Sequence, residues 1–64
     1  MNEDILQEFV GKEVKVPFRD AETTRIARGV LVSYDENFIK IKGELGTLII
    51  QRKSIYKIGL LKNG

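Results

Sequence analysis

The side chains in this sequence that could do chemistry gather around two short polar turns. Asp35-Glu36-Asn37 interrupts one apolar run, and Arg52-Lys53-Ser54 follows another, with Gln51 just before it. Asp and Asn bond to neighbouring backbone groups and tolerate left-handed conformations, so the first segment reads as a turn. Arg52 and Lys53 stand at the tip of the second, where they would be exposed in any fold, and no acid follows Glu44 in the sequence. These residues offer amide hydrogen bonds and attraction for anions. Catalysis is not expected. General acid–base work at neutral pH favours histidine or a carboxylate tuned in a pocket, and nucleophilic catalysis needs a base beside the nucleophile. The chain has no histidine and no cysteine, which also removes the usual ligands of zinc. No cofactor is implied.

The charge layout sharpens this. The net charge is +2, but residues 1–23 carry six acids (Glu3, Asp4, Glu8, Glu13, Asp20, Glu22) against three bases, whereas residues 24–64 carry eight bases against three acids. A basic C-terminal half suits a polyanion such as RNA, and equally describes ordinary solvated surface. No stretch approaches the roughly 20 apolar residues that cross a bilayer. The N-terminus opens on Asn-Glu-Asp rather than the positive charge of a signal peptide. A cytoplasmic protein is expected.

The elements that must position these turns are read from periodicity. Asn2 is a candidate N-cap, Glu3 and Asp4 suit the positive end of a helix dipole, and Ile5, Leu6, Phe9 and Val10 line one helical face before Gly11. This predicts a short N-terminal helix over residues 2–10, too short to hold alone. From Lys12 the period drops to two. Val14, Val16 and Phe18 face one way in a first strand, with Pro17 marking an edge or an approaching turn. Arg19–Thr23 reads as a polar loop. A long second strand, Thr24–Tyr34, is interrupted by Gly29, the expected position of a sharp bend or close backbone approach. Phe38–Lys42, Thr47–Gln51 and Ile55–Leu61 complete five strands, with a tight connection at Gly43–Gly46; Lys62–Gly64 should fray. The expected fold is mostly β: one domain spanning residues 1–64, a short N-terminal helix followed by a strongly bent, five-stranded small barrel. A chain of this size buries only about 60% of its unfolded surface and has no cross-links, so self-association is expected to supplement its core.

Laid out in this order, the chain resembles the Sm/Lsm family, including its Hfq branch, over essentially its whole length. Gly29, Leu31 and Asp35 match the Gly-x-Leu-x-x-x-Asp that ends the family's first motif, with aromatic Tyr34 just before the aspartate. The second motif is matched by Ile49–Ile58, an apolar pair, a tight turn and an isoleucine-bearing strand. The resemblance implies a hexameric or heptameric ring in which strand 47–51 of one subunit pairs with strand 55–61 of the next. It also implies single-stranded, U- or A/U-rich RNA held at the pore by the two turns. On that model Asp35 orients a base-contacting amide, Asn37 supplies it, and Gln51, Arg52 and Lys53 form the second half of the site. The match departs from the family pattern in two places. Asn37 stands two residues after the aspartate, where many Sm proteins place it four after. The common Ile-Arg-Gly becomes Ile50-Gln51-Arg52, so glutamine takes the arginine's place and arginine the glycine's.

Other readings stay open. Asp35 and Asn37 serve equally well as turn formers, and Tyr34 and Phe38 as packing that braces a barrel. The substitutions in both turns suit an Sm-like or SH3-like oligomerisation module that does not bind RNA. A DNA-binding chromatin barrel would be expected to carry more lysine.

Overall fold

The computed structural model of the protein describes residues 4–61. Its strands are β1 (Glu13–Asp20), β2 (Thr23–Tyr34), β3 (Phe38–Gly43), β4 (Gly46–Gln51) and β5 (Gly59–Leu60). They form one antiparallel sheet in the order β4-β3-β2-β1-β5. The mostly-β reading therefore holds, but the sheet is not closed into a barrel. The outer edge of β4 and that of β5 are not joined by a hydrogen-bonded ladder among the described residues.

Alternation sets the inner face. Val14 and Val16 of β1, Ala27 and Leu31 of β2, Ile39 and Ile41 of β3 and Ile50 of β4 are buried, and Leu6 from the N-terminal segment joins them. Their neighbours in sequence point outward, as a period of two requires.

The bend comes from β2. At Gly29 a Cβ atom would stand 2.5 Å from the Lys42 carbonyl oxygen and 2.9 Å from Ile41 Cγ2, so only glycine lets β3 approach so closely. Three residues on, the register of β2 on β3 shifts between Leu31 and Ser33, leaving Val32 as a bulge. A bulge adds local twist to a strand that is already curved.

Three expectations are corrected. The N-terminal segment is a 3-10 helix over Ile5–Phe9, not an α-helix, and its N-cap is Asp4, whose Oδ1 accepts from the Leu6 amide at 3.0 Å. Asn2, the expected cap, lies outside the described residues, as do Lys62–Gly64. Two features account for the tighter coil. A helix this short has little to propagate, and Val10 is already bridged to Leu31. Leu6 is buried, but Ile5 is 70% exposed, so the expected apolar face is only partly used.

The expected loop at residues 19–23 shrinks to Ala21-Glu22, because β1 and β2 stay paired through Asp20 and Thr23. Polar side chains support the extended ladder. Thr23 Oγ1 donates to the Asp20 carbonyl at 3.0 Å, Arg19 Nε to the Ala21 carbonyl at 3.1 Å, and Arg25 pairs with Asp20 at 2.9 Å. Ala21 carries the positive φ of 57° that such a two-residue turn needs, a place usually given to glycine.

The fifth strand is also shorter than expected, covering only Gly59–Leu60 of the anticipated 55–61. The preceding residues still follow β1. Ile55 bridges Phe18, the Tyr56 amide donates to the Pro17 carbonyl at 2.9 Å, and the Leu61 amide donates to the Glu13 carbonyl at 3.0 Å. In an antiparallel ladder the N–H and C=O of one residue point to the same side. Pro17 accepts from Tyr56 but has no N–H to return, so the ladder breaks there.

Candidate functional site

The two turns meet at one end of the sheet. After β4, Arg52–Ser54 forms one turn of 3-10 helix, and the Arg52 amide donates to the Asn37 carbonyl at 2.8 Å. The pairing of Phe38 with Gln51 in the β3–β4 ladder brings the ends of both turns side by side. All five residues singled out from the sequence thus fall in one region. Asn37, Gln51, Arg52 and Lys53, with Glu36 and Phe38, line a shallow groove of about 340 Å³. A larger concavity of about 820 Å³ lies at the β3–β4 hairpin and contains none of the five.

Asp35 builds the first turn. Its Oδ1 accepts from the Asn37 amide at 2.7 Å and the Phe38 amide at 2.8 Å, while its own amide donates to the Phe38 carbonyl at 2.9 Å. This is the local side-chain closure expected of Asp in a turn. The two amides stabilise the ionised form, so the carboxyl lies below its ordinary value.

Arg52 builds the junction. Its guanidinium grips Asp4 with both ends, Nη1 to Oδ2 at 2.6 Å and Nη2 to Oδ1 at 3.1 Å, and Nη1 also donates to the Asp35 carbonyl at 2.9 Å. The cation lies 5.9 Å from the centre of the Tyr34 ring, within range of a cation–π attraction. Tyr34 in turn donates from its hydroxyl to Gln7 Oε1 at 2.9 Å. A single side chain therefore ties the N-terminal segment, the end of β2 and both turns together. A planar fork suits this role in a way that an ammonium would not. The Arg52 contact, with help from the Leu6 amide, holds the Asp4 carboxyl below its ordinary value, and Asp4 raises the Arg52 pKa in return.

The candidates thus divide into two sets. Asp35 and Arg52 have their polar groups engaged in holding the turns. Asn37, Gln51 and Lys53 are exposed, and among the described residues no side-chain hydrogen bond or ion pair is found for them. Asp4 was missed by sequence reasoning as part of this region. Its signal was acidic charge in the first turn of the expected helix, which suits a helix dipole but does not name a partner 48 residues away.

No helix among the described residues is long and apolar enough to cross a membrane. Compared with known proteins, the chain matches no family model, no curated protein and no solved structure.

Proposed function

We propose that this chain is an Sm-like RNA-binding protein of the cytoplasm. Its bent, unclosed sheet assembles through its strand edges into a closed homo-oligomeric ring, as the small barrels of that family do. Single-stranded U- or A/U-rich RNA is held at the pore by the two turns. The observation that carries the reading is the meeting of those turns, with the Arg52 amide on the Asn37 carbonyl, at one end of a β4 whose outer edge is unpaired among the described residues. An unpaired edge is a template for another strand, and a cyclic assembly closes every such edge. β4 presents Leu48 and Ile49 at 44% and 59% exposure, and β5 presents Leu60 at 50%, apolar surface that an assembly would cover. In the ring, the amides of Asn37 and Gln51 meet base edges, which unpaired RNA leaves accessible, and Lys53 attracts the backbone.

A second reading is an oligomerisation module without RNA binding. The pairing of Arg52 with Asp4 favours it, since the guanidinium is neutralised inside the chain. Native mass spectrometry with and without a short oligo-U separates the two. The first reading expects a closed multimer of the 7.3 kDa subunit that gains the mass of an oligonucleotide. A multimer that gains nothing selects the second reading, and a monomer at micromolar concentration overturns both.

A further inference from the structure

The outer face of the sheet, opposite the core, carries charge that the turns do not use. Strand pairing places Lys15 directly opposite Arg28, Lys42 opposite Val30, and Lys40 opposite Ser33 on one side and Ile49 on the other. All four cations are exposed, and no ion pair is found for any of them among the described residues. Two acids lie beside them: Glu13, paired across from Val30, and Glu44, which lines a concavity together with Glu13, Arg28 and Lys42.

Such an arrangement costs stability. Like charges directly opposite on neighbouring strands repel, and an exposed strand pair gains more from opposite charges or β-branched residues. Lys40 and Lys42 lie two residues apart on one strand, about 7 Å, so their ammonium groups follow one another along the same face. Four cations crossing β1, β2 and β3 form a band rather than a point, and a band of positive charge complements an extended polyanion.

The band also reaches the turns. A second groove, of about 450 Å³, is lined by Ser33, Tyr34, Asp35, Phe38, Lys40 and Ile49 among others, and Phe38 also lines the groove at the turns. A strand lying at Asn37 and Gln51 can therefore continue past Phe38 to Lys40 and onto the cationic band.

We propose that the outer sheet face, through Lys15, Arg28, Lys40 and Lys42, is a second nucleic-acid surface that binds the phosphate backbone of single-stranded RNA without reading its sequence. The surface goes beyond the turn site and does not depend on it. Base contacts at the turns would set preference, and the band would add affinity and salt dependence.

The test is a triple variant, Lys15→Gln with Arg28→Gln and Lys42→Gln, compared with wild type and with Asn37→Ala/Lys53→Ala. Binding is titrated over a range of salt concentrations. One oligo-U is about 6 nucleotides long, enough for one site, and another is about 20 nucleotides. Single-stranded contacts contribute about 0.7 each to the salt slope, so the triple variant should lose about 2 from the slope for the longer RNA. Its affinity for that RNA should fall at least about tenfold at low salt, while the shorter RNA binds as before. Its melting temperature should hold or rise, because a repulsive pair is gone. An unchanged slope and affinity for the longer RNA overturns the second surface and leaves the turn site standing. Loss in the triple variant with none in Asn37→Ala/Lys53→Ala supports the surface and removes the turn site. Wild type that binds neither RNA, or that sediments only with phosphatidylserine vesicles, overturns the surface as an RNA site.

Discussion

Arg52 and the band of Lys15, Arg28, Lys40 and Lys42 are both cationic, but they differ in what their charges touch. Arg52 is held by a carboxylate, a carbonyl and an aromatic ring. The four outer-face cations have no ion-pair partner among the described residues, and two of them face each other. A paired charge fixes geometry and has little left for a ligand. An unpaired one costs the fold something and stays available. The motif positions in the turns are therefore of two kinds, and the arginine that sequence analysis singled out for RNA is the one the chain uses to hold itself together.

Both regions depend on one bent sheet, so the largest effect should come from the bend. Gly29→Val places a branched side chain against the Lys42 backbone, where even a Cβ stands 2.5 Å from the carbonyl oxygen. A loss of about 3 kcal/mol or more is expected from the urea midpoint, and both proposed RNA surfaces should fail together. A variant of wild-type stability would mean that β2 and β3 need not approach at that point.

Arg52→Ala comes next. It breaks the junction of the N-terminal segment with the turns at once, and about 1–2 kcal/mol of stability should go, a figure kept low because the pair is partly solvated. Arg52→Lys should recover only part, since an ammonium cannot bridge both Asp4 oxygens and the Asp35 carbonyl in the same way. Chemical denaturation of the two variants, read beside RNA binding, separates holding from touching. If Arg52→Ala folds as well as wild type and loses RNA, the division between the two regions is wrong.

Acid should weaken the same junction. Asp4 and Asp35 both have folded pKa values below the ordinary 3.8. Their contribution is fully present above that ordinary value and is lost as pH falls through the lower, folded values. Melting temperature should therefore show no dependence on these two groups from neutrality to about pH 5, then fall progressively. In Asp4→Asn the fall should be shallower, from a lower starting point. An equally steep fall in that variant would show that Asp4 takes no part.

The smallest effect is expected on the outer face. Lys15→Thr replaces one member of the repulsive pair with a β-former and should raise stability by about 0.2–1 kcal/mol, while weakening binding of longer RNA. A drop in stability would mean that Lys15 has a stabilising partner.

The buried alternation of Val14, Val16, Ile39 and Ile41 was legible in the sequence because one-sided burial imposes a period of two. So was the special place of Gly29, since few residues allow so close an approach. The helix at residues 2–10 was misjudged for a reason that lies elsewhere in the chain. Its apolar spacing fits an α-helix, and the bridge from Val10 to Leu31 is a tertiary choice that local pattern does not carry. The hairpin at Ala21 was hidden by polar residues that read as loop but extend the ladder with their own hydrogen bonds. The shortened fifth strand follows from Pro17, whose missing donor acts on a partner far along the chain. At the site, the turns were visible from Asp35 and Asn37. Which cations would be paired was not, because Asp4 meets Arg52 only when the sheet has folded.

The central claim is that RNA meets the unengaged groups of the turns while Arg52 stays on Asp4. An amide and side-chain NMR shift map of the chain titrated with oligo-U tests it most directly. The account predicts shifts at Asn37, Gln51 and Lys53, extending to Lys40 and Lys42 with longer RNA, and an Arg52 guanidinium whose signals remain those of the paired state. Shifts confined to other surfaces, or an Arg52 released from Asp4 as RNA binds, would contradict it.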